Sequence, residues 1–417
     1  MKTETKQRIE QIRRGEVPER YVKTALGLAP TDWKRYTLRD IYTERKEPGD
    51  EKLPLLMVSI HSGVSDGEVD AAELPKQVKR IEDKSQYKKA VSGDLVFNMM
   101  RAWQGAIGTV RTTGMVSPAY IVAESNDKVY PLFMDYYSRT PQMINQIDRQ
   151  SYGVTDFRKR LYWDSFAPIG CILPPIEEQQ KIAAILTTQD KVIELKEKRL
   201  AEKQRQKKYF MQQLFTGKKR LPGFSGEWKK TELKNILYER KTYSPKGLEY
   251  PHVTLSAEGI FPKSERYDRD HLVRDEDKEY KITHKGDICY NPANLKFGAI
   301  CENTFGDAIF SPIYVTFEVE ENICKEYIAN YLMRWDFINA VRKYEEGTVY
   351  ERMAVKPEDF LKFEIFLPQI EEQTAIAEVL SAADREIELL QQDIEQEKQK
   401  KKALMQLLLT GIVRVKT

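Results

Sequence analysis

Two short stretches carry side chains that can read nucleic-acid bases: Arg101-Ala102-Trp103-Gln104 and Asn294-Leu295-Lys296-Phe297. Arg and Lys hydrogen-bond the edge of guanine, and Asn and Gln that of adenine. Each stretch follows the strand that opens a longer run, GDLVFNMMRAWQGAIG (93–108) in one case and GDICYNPANLKFGAIC (286–301) in the other. The two runs align without a gap at an offset of 193 residues, and Asn291 heads the second loop as a further candidate reader. Further along each copy lies a second polar loop. Tyr152, Thr155, Arg158 and Lys159 stand in the first, and Lys343, Thr348, Tyr350 and Arg352 in or beside the second. Cations and hydroxyls of this kind suit phosphate anchoring. The plainer alternative puts Trp103 and Phe297 in the core and leaves the cations solvated.

Catalytic chemistry has no comparable support. No glycine-rich GxGxxG loop and no GxxxxGK[ST] phosphate loop occurs. Asn291-Pro292-Ala293-Asn294 departs from the Asn-Pro-Pro-aromatic pattern of amino-methyltransferases, and its matched copy reads Asn98-Met99-Met100-Arg101. The four histidines, His61, His252, His271 and His284, show no metal-ligand spacing. The residues therefore predict binding, with no catalytic and no metal-ligating set.

Both loops belong to a longer repeat. LPPIEEQQKIAAILTTQDKVIELKEKRLAEKQRQKKYFMQQLFTG begins at Leu173, and LPQIEEQTAIAEVLSAADREIELLQQDIEQEKQKKKALMQLLLTG begins at Leu367, an offset of 194. A match of this length is a tandem duplication. Each segment reads as one long helix. Proline precedes it, Glu177 and Glu178 or Glu371 and Glu372 put negative charge on its first turn, and Gly217 or Gly411 stops it. Apolar residues recur at heptad spacing, Ile182 and Ile376 flanking a seam of Leu186, Ile193, Leu200 and Leu214 in one copy and Leu380, Ile387, Ile394 and Leu408 in the other. Lys207 and Lys401 interrupt both seams at the same place. A run of about 40 residues would reach about 60 Å, which suits two helices paired as a coiled coil. Acids and bases nearly balance in the first helix and the second is net acidic, so these helices read as spacer and protein-docking elements.

The remaining segments repeat in step. WKRYTLRDIYTERK (33–46) matches WKKTELKNILYERK (228–241), Leu55–Ile60 and His252–Leu255 read as strands, and Pro131–Arg149 and Lys325–Tyr344 as amphipathic helices. The predicted organisation is an N-terminal helix and lead-in segment (1–32), a globular domain (33–172), a long helix (173–217), a linker (218–227), a second globular domain (228–366), and a second long helix with a tail (367–417). The fold class is α+β, with two mixed α/β domains separated and followed by long helices that pair antiparallel.

At 417 residues, 41% of them hydrophobic, the chain can bury more than one core. Its net charge of +3 confines any nucleic-acid surface to a local patch. Cys171, Cys289, Cys301 and Cys324 show no CxxC spacing, which points to a reducing cytosol. No apolar run reaches membrane-spanning length, so the expected location is cytoplasmic, with no membrane partner.

The LPxIEEQxxIAxxL opening of each long helix, its TG ending and the Gly-Asp-strand-Asn stretch resemble the specificity subunit of Type I restriction–modification enzymes. The resemblance covers essentially the whole chain. It implies that the globular domains are target-recognition domains, each reading one half of a bipartite site on double-stranded DNA. The long helices would fix the spacing and dock methyltransferase subunits, which in turn carry restriction–translocase subunits. S-adenosylmethionine, ATP and Mg would belong to those partners. Two other readings stand beside it. A methyltransferase fused to its own recognition domains lacks a cofactor loop here, and a purely structural coiled-coil scaffold leaves the divergent loops unexplained.

Overall fold

The computed structural model describes residues 3–60, 63–65, 86–155, 158–245, 249–263, 279–345 and 354–415. His61, His271, Thr348, Tyr350 and Arg352 lie outside the described residues. The chain forms two compact units, Met1–Lys198 together with Gln392–Thr417, and Arg199–Gln391. Each unit therefore takes a globular part and portions of both long helices.

The first unit is built on a four-stranded antiparallel sheet in the order Tyr42–Glu44, Tyr120–Ser125, Leu95–Asn98, Ile107–Thr109. Successive side chains of a strand face opposite ways, and here both faces are covered. Leu95, Phe97, Ile121 and Ala123 point into the main core, while Val96 and Val122 point into a smaller one with Leu56 and Val116. The second unit repeats the order with Leu237–Glu239, Val315–Val319, Ile288–Tyr290 and Ile300–Glu302. Its alternation is the same, Ile288 and Tyr290 facing the main core and Cys289 the small one. Equivalent aromatic pairs fill the two main cores, Phe97 with Phe166 at 4.5 Å and Tyr290 with Phe360 at 4.8 Å between ring centroids. Such a pair adds about 0.5–1.5 kcal/mol to its burial. In each unit a further antiparallel pair, Lys34–Thr37 with Gly170–Leu173 or Lys229–Glu232 with Glu364–Leu367, leads straight into a long helix.

The amphipathic segments expected as single helices are each broken in two. Pro131–Tyr137 and Pro141–Gln150 are separate, because Pro141 holds Thr140 extended (ψ 148°) and Thr140 caps the second helix at Met143 N. In the second copy, Lys325–Leu332 and Trp335–Val341 break at Arg334 (ψ 135°) without a proline, and a 3-10 turn, Arg342–Tyr344, ends the segment. The strand read at 55–60 shrinks to Val58–Ser59.

The long helices run Ile176–Leu214 and Ile370–Leu408, 39 residues each, about 58 Å at 1.5 Å per residue. They pair antiparallel in both units. In the first, Asp190 meets Lys401 (2.5 Å), Lys196 meets Glu397 (3.0 Å) and Asp393 (2.8 Å), and Glu197 meets Lys398 (2.7 Å). In the second, Lys203 meets Glu386 (2.8 Å) and Lys207 meets Asp384 (2.5 Å). The lysine breaks in the seam are thus matched ion pairs, Lys207–Asp384 and Lys401–Asp190. Glu397, bonded by Gln189, Lys196 and Lys400, has its carboxyl drawn down to about 2. Only the middle of the heptad pattern serves as seam, where Ile193 and Ile394 are buried and Leu200 and Ile387 half-buried. Ile182, Leu186 and Leu408 pack into the main core of the first unit, and Leu214, Ile376 and Leu380 into that of the second. Those six anchor helix ends to the globular parts and present nothing to a docking partner.

Burial pushes the thiols of Cys171 and Cys301 up to about 12 and raises Cys289 as well. Only Cys324 is partly exposed. Iodoacetamide at pH 8 is therefore expected to alkylate Cys324 first in the native protein, since the thiolate is the nucleophile. Peptide mass mapping showing early modification at Cys171 or Cys289 would contradict these packed cores.

Candidate nucleic-acid interface

Each candidate reading loop is a closed turn that pins its own backbone and turns its tip outward. In the first, Asn98 Oδ1 accepts from Met100 N (2.9 Å), and a 3-10 turn, Ala102–Gln104, buries Ala102. Gly105 then turns the chain with φ +103°, a conformation that side chains resist. In the second, Asn291 Oδ1 accepts from Ala293 N (3.1 Å) and Asn294 N (3.3 Å), the turn Leu295–Phe297 buries Leu295, and Gly298 has φ +83°. The result is a rigid frame with replaceable tips.

The tips differ. Arg101 and Gln104 are exposed in the first loop, and Asn294 in the second. Trp103 and Lys296 share a position, both half-buried. The Trp103 indole donates to Met100 O (3.0 Å), and Lys296 Nζ lies over Phe297 at 5.3 Å. Phe297 is 63% exposed, so it is not core, whereas Trp103 packs partly against the main core. Asn291, expected among the readers, is buried, and its side-chain oxygen is committed to the loop. It holds the frame and does not face outward.

The second polar loop joins the first through one matched backbone bond. Leu161 N donates to Met99 O (2.8 Å) in the first unit, and Val355 N to Pro292 O (3.3 Å) in the second. This bond brings residues 152–155 and 158–160 beside the 101–104 tip. Lys159 Nζ sits over Trp103 at 5.2 Å and pairs with Asp148 (2.9 Å), so its charge is partly spent inside the protein. Tyr152 is exposed, its ring 5.5 Å from Tyr162, and Thr155 and Arg158 are exposed on the same segment. In the second unit Lys343 lies over Tyr344 and Phe363 (4.8 and 5.3 Å).

Two matched devices behind the loops escaped the sequence reading. Asp94 receives Arg45 Nε (2.7 Å) and Val91 N (2.8 Å), and Asp287 receives Arg240 Nε (3.0 Å) and His284 N (2.7 Å). These pairs lock the Gly-Asp turn that starts each reading strand. The signal was present, because Arg45 and Arg240 hold the same place in the matched TERK and YERK. The second device is a Trp–Glu–Arg cluster at the foot of each long helix. Glu178 accepts from Trp33 Nε1 (3.3 Å) and from Arg414 (2.7 and 2.8 Å), and Glu372 accepts from Trp228 Nε1 (3.3 Å) and Arg220 (2.5 and 2.6 Å). Each arginine follows one long helix and clamps the first turn of the other.

Among the described residues no group of three or more His, Cys, Asp or Glu could hold a metal ion, and no helix is long and apolar enough to cross a membrane.

Residues 76–204 and 227–399, more than half of the chain, match the family described as Type I restriction modification DNA specificity domain. A Methanocaldococcus jannaschii chain described by name as a type I restriction enzyme MjaX specificity subunit is 25% identical, over 96% of this chain and 98% of its own length. The type I restriction enzyme MjaVIII specificity subunit of the same organism is 24% identical, over 80% and 83%. A crystal structure of a Type I restriction–modification S subunit from M. genitalium superposes with TM-score 0.55 at 10% identity, over 92% of this chain and 97% of that one, a likeness of fold.

Proposed function

Since the chain belongs to the family of Type I restriction–modification DNA specificity domains, we propose that it is the specificity subunit of such a complex. Each globular part reads one half of a bipartite DNA target, and the paired helices set the spacing and dock methyltransferase subunits. The observation that carries this reading is the pair of loops held by equivalent frames, Asn98 and Gly105 or Asn291 and Gly298, with unlike tips. A duplicated reader of this kind recognises two different half-sequences. Arg101, Gln104 and Asn294 are the base-reading residues, Lys296 and Phe297 flank the second tip, and Tyr152, Thr155 and Arg158 anchor phosphates. The chain itself is non-catalytic. S-adenosylmethionine, ATP and Mg belong to the methyltransferase and to the restriction–translocase subunits that it recruits.

The test is a methylome. Cells carrying the chain with its methyltransferase should methylate adenines within one split motif, and the purified chain alone should neither methylate DNA nor hydrolyse ATP. Inserting a whole heptad into one long helix should widen the gap by about 10 Å, or about three base pairs at 3.4 Å each, with both half-sequences kept. Turnover by the isolated chain, or altered half-sequences after the insertion, would contradict the reading.

A further inference from the structure

The two units differ at one place where the duplication makes them comparable. Trp33, Tyr137, Ile172 and Leu409 of the first unit correspond to Trp228, Tyr331, Phe366 and Phe215 of the second, at offsets of 194 or 195 residues. In the first unit this surface is covered by the chain's own N-terminal segment, a hairpin of Tyr21–Thr24 and Gly27–Pro30. Tyr21 Oη donates to Gly411 O (2.7 Å), Gln142 donates to Leu26 O, and Pro30 lies against Gly411. Leu26 and Ala29 close over Trp33 and Ile172, leaving each of the latter two only 7% exposed. The remaining hollow is about 180 Å³.

The second unit has the linker 218–227 before Trp228, and among the described residues no hairpin lies on the corresponding surface. Phe366 is 56% exposed there, and the cleft, lined by Phe215, Trp228, Tyr331 and Phe366 with Arg220 and Arg334, opens to about 410 Å³. Exposed aromatics continue along the long helix at Tyr209 and Phe210, where the other helix has Ala403 and Leu404. Asp32, beside Trp33, pairs with Arg414 (2.7 Å), the counterpart of Arg220, and the second copy carries Glu227 at the matched position, so the copies differ in apolar cover and not in acidic residues.

We propose that the cleft of the second unit receives an apolar turn from one methyltransferase subunit. Three observations choose this occupant. The covered copy shows what fits: aliphatic side chains, Leu26 and Ala29, over the tryptophan. The cleft is continuous with the long helix, the element on which the preceding reading, which this inference deepens, places the methyltransferase. A second copy of this chain is a poorer donor, because its hairpin is already bonded to its own Gly411 carbonyl and packed on its own Ile172. Because the first copy of the cleft is filled from within, the two units offer a partner unequal surfaces.

The experiment uses the full chain co-expressed with its methyltransferase subunit. A photo-crosslinking benzoylphenylalanine is placed at position 366 and, as an internal control, at position 172. The expected result is a cross-link from 366 to the methyltransferase and one from 172 to residues 26–30 of the same chain. Phe366→Asp should weaken methyltransferase association at least tenfold in a titration. Thermal unfolding and DNA binding of the free chain should stay unchanged, since Phe366 is mostly exposed. A native affinity for Phe366→Asp overturns the proposal, as does a cross-link from 366 to a second copy of this chain or to the nuclease subunit. If the wild-type chain itself binds no methyltransferase, the functional reading fails and this inference with it; if it binds normally and 366 stays silent, only the inference falls.

Discussion

Arg414→Ala is expected to destabilise the first unit by about 3 kcal/mol, and Arg220→Ala the second by about 3–5 kcal/mol. Removing one partner of a buried ion pair strands the other, at a cost of about 3–5 kcal/mol. Glu178 and Glu372 have side chains 1% and 2% exposed, so neither can turn to water when its arginine is lost. Glu178 would keep Trp33 Nε1 and Val415 N as donors, whereas Glu372 would keep Trp228 Nε1, which is why the second loss is larger. Both arginines also stand over their tryptophan rings, at 5.8 and 5.6 Å. Chemical denaturation followed by a probe in each unit should show each substitution lowering its own unit's midpoint. Adding Glu178→Gln to Arg414→Ala should recover part of the loss, because a neutral amide is less costly to bury than an unpaired carboxylate. A further drop in the double variant would show that the carboxylate was not stranded.

Arg101→Ala is expected to relax one half of the DNA target and leave the other half intact. A lost bidentate base contact costs about 1–3 kcal/mol of discrimination, roughly 5- to 150-fold at 1.4 kcal/mol per decade. Arg101 is exposed at the tip of a pinned turn, so its loss removes a contact without disturbing the frame. Asn294→Ala should do the same for the other half. Arg158→Ala, on the neighbouring loop, should weaken all sequences alike and flatten the salt dependence of binding, as loss of a phosphate contact does. Competition binding with variants of each half-site distinguishes these outcomes. A change of preference at both halves from Arg101→Ala would rule out independent reading.

Much of this molecule was legible in its sequence because duplication prints the same instructions twice. The helix boundaries followed from proline and paired glutamates at one end and glycine at the other, and they fall within three residues of Ile176–Leu214 and Ile370–Leu408. The matched Gly-Asp strands and their loops were visible for the same reason, since turn glycines and alternating apolar residues are local signals. Heptad spacing, however, reports only that a helix face is apolar. It does not say against what the face packs, so Leu186 and Leu408 looked like seam and are globular core. The break at Arg334 was likewise hidden, having no proline to announce it.

Side-chain partners across hundreds of residues were decided by the tertiary structure alone. Nothing near Glu178 in the sequence names Arg414, 236 positions away, as its counter-charge. Nor does composition tell the buried Asn291, whose oxygen is consumed by its own loop, from the exposed Asn294 three residues on. Local backbone preference acts within a few residues and is written in the sequence. Burial and ion pairing depend on which distant segments meet, and only the folded chain sets that.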